Sequence, residues 1–311
     1  AETSGSDGGT AIGHGALATQ NRDASANTAI GYNALTALRA TGGGNFGGVN
    51  NTAVGYEAGG SGVFGGGSDG HGDDNTLVGH QAGKAITTGS ANTCLGDRAG
   101  TTLNIGIRNV LVGKGAGQLM TDNNQNIAIG WGALDAAAAG EHSNIAIGHN
   151  ALTTENSNAN FCVAIGEAAL ALQNGNVKNT AIGANAGAEL VNGTGNTLVG
   201  YEAGNQLDAG EAWNTFIGHG AGSNADGAAN NTFVGAVAGG LGVATGNDNV
   251  AVGYGAGYDL LAGHSNVLAG RDAGANMTTG NYNVAIGFQA ADTLVGLAHD
   301  NIAIGPNALG G

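Results

Sequence analysis

The residues with the most chemistry to offer fall in one recurring position. His14, Tyr32, Tyr56, His80, Trp131, His149, Tyr201, His219, Tyr254 and Phe288 each follow a glycine that closes a short repeated phrase. Imidazoles and phenols can move protons, bind metals or stack on ligands. Metal binding needs converging ligands, and His14, His80, His149 and His219 lie several repeats apart. Acid–base or nucleophilic catalysis needs groups within hydrogen-bond reach of one another. No metal-ligand spacing, nucleophile elbow or carboxylate pair stands out from the repeat. Gly113-Lys-Gly-Ala-Gly117 looks like a phosphate loop, but Gly-x-Gly-Ala-Gly recurs at Gly253 to Gly257, so the repeat explains it. The chain therefore reads as no enzyme, with no metal site and no cofactor. Aromatic side chains can still bind through contact area at low entropic cost. Stacked in line, Tyr32, Tyr56, His80, Trp131, Tyr201 and Tyr254 are candidate binding residues for a sugar or a partner surface. The alternative is a plain stacking ladder or a chain–chain contact.

The phrase that places them is Asn-x-Ala-Ile-Gly, as at Asn126 to Gly130 and Asn144 to Gly148. Its closing glycine recurs from Gly13 to Gly305 in 17 copies; of the 16 intervals, 14 are 17 or 18 residues and two are 24. Three residues after each glycine stands Ala, and three before it a β-branched residue, Thr in nine copies and Val or Ile in eight. Asn stands four residues before it in 15 copies, with Gly9 and Cys162 the exceptions. Fixed-period self-similarity of this kind means stacked units that bury their apolar faces only on one another. Thr, Val and Ile favour extended backbone. The obligatory glycine implies a conformation or an approach that a Cβ forbids. The constant Ala implies a narrow interior. The period suits one solenoid coil with two short strands, so the predicted fold is all-β: a parallel β-solenoid of about 17 coils. Stacking at ~4.8 Å per coil gives a rod of roughly 80 Å, with the Asn column bonding coil to coil. Helical repeats are disfavoured by the 63 glycines.

Residues 1–8 read as an N-terminal extension and 9–311 as the repeat domain. Longer loops fall within 36–50 and 60–74, where the two 24-residue intervals lie. Insertions in solenoids map to loops, often on the binding face. Phe46 and Phe64, set in glycine-rich polar runs, join the candidate binding residues. Asp69, Asp73 and Asp74 also invite a calcium reading, since hard cations take oxygen ligands. Within Thr-Ala-Ile the first and third residues share a side. Both sides are largely apolar, which suggests that one lines the coil and the other packs on a second chain. The Thr column also has an ice-binding reading, set against an interior or interfacial column in which Thr and Val are isosteric.

A net charge of −15 argues against nucleic acid and against an anionic membrane surface. No apolar stretch reaches the ~20 residues of a membrane span, so no membrane insertion is expected. No signal peptide is visible. Cys94 and Cys162 sit four coils apart, roughly 19 Å at strand spacing, and are not expected to pair. Without polar caps, either the chain is cut from something longer or its ends dock on neighbouring molecules, and head-to-tail docking of that kind makes an open filament.

Asn283-Val-Ala-Ile-Gly287 and its copies resemble the head repeats of trimeric autotransporter adhesins, whose phrase is Asn-Ser-Val-Ala-Ile-Gly. Asn51 to Tyr56 is similar to arrays in bacterial surface proteins and phage tail-fibre-like proteins. The resemblance spans about residues 9 to 309. It implies a left-handed parallel β-roll, a homotrimer, and an extracellular place on a cell surface or virion with a host surface or glycan as partner. The family coil is shorter, and its Asn lies one residue further from the Val. No coiled-coil stalk or membrane anchor follows here. The expected function is a structural and adhesive rod; an ice-binding solenoid is the alternative.

Overall fold

Extended backbone appears where the β-branched residues demand it. The computed structural model describes residues 8–19, 25–38, 48–60, 72–136, 139–153, 160–175, 178–208, 210–240, 245–296 and 298–310. Phe46, Phe64 and most of the Asp-rich loop lie outside these residues. The chain forms two compact units, Ala1–Asn160 and Phe161–Gly311.

The first unit contains β1 (Thr10–Ile12), β2 (Thr28–Ile30), β3 (Thr52–Val54), β4 (Thr76–Val78), β5 (Thr93–Leu95), β6 (Val110–Val112), β7 (Ile127–Ile129) and β8 (Ile145–Ile147). The second contains β9 (Val163–Ile165), β10 (Thr180–Ile182), β11 (Thr197–Val199), β12 (Thr215–Ile217), β13 (Thr232–Val234), β14 (Val250–Val252), β15 (Val267–Ala269), β16 (Val284–Ile286) and β17 (Ile302–Ile304). Within each unit consecutive strands pair in parallel and like pairs with like, as Thr10↔Thr28 and Thr180↔Thr197 illustrate. Both units are therefore parallel β-solenoids, as the repeat predicts.

Among the described residues each coil holds one three-residue strand rather than the expected two. The segment that follows each strand is a run of turns. Gly79 O accepts the Ala82 N–H, and Gln81 O accepts the Lys84 N–H at 3.3 Å. The third residue of each turn has positive φ (Gln81 +56°, Gly83 +55°), as a type II turn requires. Coil-to-coil bonding continues through the turns, for example Gln81 N–H to Tyr56 O at 2.8 Å. A second strand is not needed to satisfy that backbone.

From β2 to β17 the middle residue of each strand points inward. Leu77, Cys94, Leu111, Phe216 and Phe233 are completely buried, as is the Ala three residues after each interior glycine (Ala82, Ala99, Ala116). A further core column lies seven residues after the glycine: Leu38, Ile86, Leu103, Met120, Leu190 and Leu207. The first and third strand residues face outward, so the Thr column lies on the surface and not in the interior; Ile182 and Ile217 are about 40% exposed. The closing glycine has to lack a side chain. At Gly96, with φ +137°, a Cβ would stand 2.5 Å from Gly113 O of the next coil.

One interior slot is filled from either of two positions. Where the middle strand residue is Leu or Phe, the residue four after the glycine is Gly, as in Leu77/Gly83, Leu198/Gly204 and Phe216/Gly222. Where that residue is Leu, the strand residue is Ala, as in Ala29/Leu35, Ala128/Leu134 and Ala146/Leu152. A Cβ on Gly83 would meet Leu77 Cδ2 at 2.6 Å, and one on Gly222 would collide with the Phe216 ring. Close packing forbids two large side chains in one slot.

The buried Asn column ties neighbouring coils together. Asn109 donates its backbone N–H and its Nδ2 to Asn92 Oδ1, each at 3.0 Å, and Nδ2 also donates to Asn123 O at 2.8 Å. Asn266 does the same to Asn249 Oδ1 and Gly280 O. Cys94 and Cys162 are both buried, and burial pushes the Cys94 thiol up to about 12.

Candidate functional site

The residue after each closing glycine begins a turn and projects from the coil surface. In-register stacking brings these side chains to one line within each unit. In the first unit His14, Tyr32, Tyr56 and His80 form an unbroken stack with centroids 5.2, 5.3 and 5.4 Å apart. Their planes are inclined by 11°, 7° and 24°. The line continues in charge: His80 Nδ1 lies 2.8 Å from Asp97 Oδ1, and Lys114 Nζ lies 3.7 Å from Asp97 Oδ2. Trp131 then stacks on His149 at 4.6 Å and 6°. In the second unit Tyr201 stacks on His219 at 5.3 Å, and the Arg271 guanidinium lies 5.5 Å over the Tyr254 ring. The structure thus brings Tyr32, Tyr56 and His80 together and sets Trp131, Tyr201 and Tyr254 in separate pairs.

Local electrostatics follows the same line. Glu57 accepts from Lys84 Nζ at 2.6 Å and Gln81 Nε2 at 2.9 Å, which together hold its carboxyl below the usual range. The Glu57 charge pushes the neighbouring Tyr56 phenol up. A hydrogen bond to Glu202 does the same for Tyr201. The hydrogen bond from His80 holds Asp97 low. Among the described residues no cluster of three or more His, Cys, Asp or Glu could hold a metal ion, and no helix is long and apolar enough to cross a membrane.

Face-to-face stacking limits what the column can bind. Rings 5 Å apart spend their faces on each other and turn their edges to solvent. Inside the four-ring stack a flat ligand finds edges, hydroxyls and imidazole nitrogens rather than an open platform.

Two groups of residues escaped the sequence reading. Phe161, Trp213 and Tyr282 are 61, 66 and 63% exposed, and each has φ near +60°. Bulky residues rarely adopt that conformation. The Trp213 indole rests on Gly195, where a Cβ would stand 2.5 Å from Cε3. Their signal was their place, immediately before the Asn or Cys that opens the phrase. The second group is a ladder of backbone caps one residue earlier. His142 Nδ1 accepts the Asn124 N–H at 3.0 Å, His264 Nδ1 the Asn247 N–H at 3.0 Å, and Asn281 Oδ1 the His264 N–H at 2.8 Å. An Nδ1 that accepts an N–H leaves the ring proton on Nε2.

No family model matches the chain, and no curated protein matches it.

Proposed function

We propose that this chain is a non-enzymatic structural and adhesive module of an extracellular fibre, on a cell surface or a virion, and that it works as a homotrimer. The observation that carries this reading is the outer face of each sheet. Its two columns, β-branched except at Leu95 and Ala269, are partly exposed and keep strict register through every paired strand. Eight or nine strands at ~4.8 Å make a stripe of a few hundred Å², the size at which exposed apolar patches mark contact surfaces. The phrase's resemblance to trimeric autotransporter heads supports three copies as the closed form, and head-to-tail contact extends it into filaments. A host surface or glycan is the proposed external partner; nucleic acid and membrane insertion are not. Sedimentation equilibrium tests the oligomer. The expectation is a trimer that Ile129→Lys and Ile217→Lys dissociate while each chain stays folded. A wild-type chain that is monomeric at micromolar concentration would overturn it.

A specific observation favours one second reading. The Thr residues of β1 to β5 and β10 to β13 face outward at strand spacing, as an ice-binding surface requires. Thermal hysteresis measured on the monomeric chain decides it; freezing without hysteresis removes this reading.

A further inference from the structure

We propose that Tyr32 and Tyr56 form a site for oxidative tyrosine–tyrosine crosslinking, which would staple the second coil of the first unit to the third. The two phenols come from neighbouring coils, with ring centroids 5.3 Å apart and planes 7° from parallel. Each is 46% exposed, so both ring edges are open to a diffusing oxidant. His14 and His80 close the stack on either side, at 5.2 and 5.4 Å, and keep the two rings from swinging apart. Among the described residues this is the tyrosine–tyrosine stack; Tyr201 faces His219 and Tyr254 faces Arg271 instead.

The chemistry is balanced by a one-electron oxidant acting twice, such as a photogenerated metal polypyridyl complex with persulfate or a peroxidase with peroxide. Each phenol loses one electron and its hydroxyl proton and becomes a phenoxyl radical. The radicals share spin with the carbons beside the oxygen, and two such carbons couple to form the new C–C bond. The proton on each coupled carbon then moves to its oxygen and restores the two phenols. Two electrons and two protons leave in all, so the product is lighter by two hydrogens. Holding both radicals on one scaffold gives each a partner at high effective concentration, which favours this pair over coupling between molecules. The link spans the 24-residue interval between Gly31 and Gly55.

The test is photo-oxidation of the full chain with ruthenium tris-bipyridyl and persulfate, followed by dityrosine fluorescence and peptide mapping. The expected result is a crosslinked peptide pair joining Tyr32 to Tyr56 within one chain, with a yield independent of protein concentration. Tyr32→Phe and Tyr56→Phe keep the ring stack and the fold but lose that species. Tyr201→Phe and Tyr254→Phe retain it. Oxidised tyrosine without the Tyr32–Tyr56 pair, or crosslinks that vanish on dilution, would overturn the proposal.

Discussion

The first unit stacks its aromatic rings outside, and the second stacks two of them inside. His14, Tyr32, Tyr56 and His80 line the surface of one, whereas Phe216 and Phe233 stack at 4.9 Å and 5° in the core of the other. The ring spacing is nearly the same because the strand spacing sets it in both. What differs is position. A ring two residues before the closing glycine lies in the core, and one just after it lies on the surface. The buried pair displaces a neighbour's side chain, while the exposed stack displaces nothing. Burial should therefore make the inner pair expensive to disturb and the outer stack cheap.

The largest effect belongs to the inner slot. Phe216→Ala should cost about 3–5 kcal/mol in denaturant unfolding. Gly222→Leu alone should cost about 1–3 kcal/mol by overpacking. The double variant recreates the Ala128/Leu134 arrangement and should be more stable than either single change. If the two losses simply add, the shared-slot account fails. Next comes the Asn column. Asn109→Ala should cost about 1–3 kcal/mol for each buried partner left unmatched, in either unit alike. In the outer stack Tyr32→Ala should cost about 0.5–1.5 kcal/mol per lost ring pair, and Tyr32→Phe close to nothing.

The smallest effect is electrostatic. Asp97 is held below the usual carboxylate range by its hydrogen bond from His80. A depressed folded value stabilises above the ordinary carboxylate range and is lost as pH falls through the folded value. With side chains 44 and 40% exposed, the pair should contribute under ~1 kcal/mol and weaken in salt. Unfolding of Asp97→Asn followed between neutral and acid pH should show that slope removed.

Much of this was legible in the residues themselves. The closing glycine, the constant Ala and the Asn column each impose a local demand, for a conformation, a small volume and an inter-coil bond. The aromatic column was legible for the same reason, since any period of one coil aligns equal positions. The compensation between Leu77 and Gly83, or Ala128 and Leu134, was present too, but only as an anticorrelation between two columns read separately. The exposed Trp213 was overlooked because its column holds unlike residues from coil to coil.

Periodicity by itself determined that coils stack in register, because a repeated phrase can satisfy its neighbours only when like meets like. The tertiary structure alone decided which strand side faces inward and that turns replace a second strand. It also decided which surface rings touch. Those outcomes depend on volumes shared between residues of different coils and on left-handed backbone at Gln81 and Trp213. Neither quantity is a property of any single position in the chain.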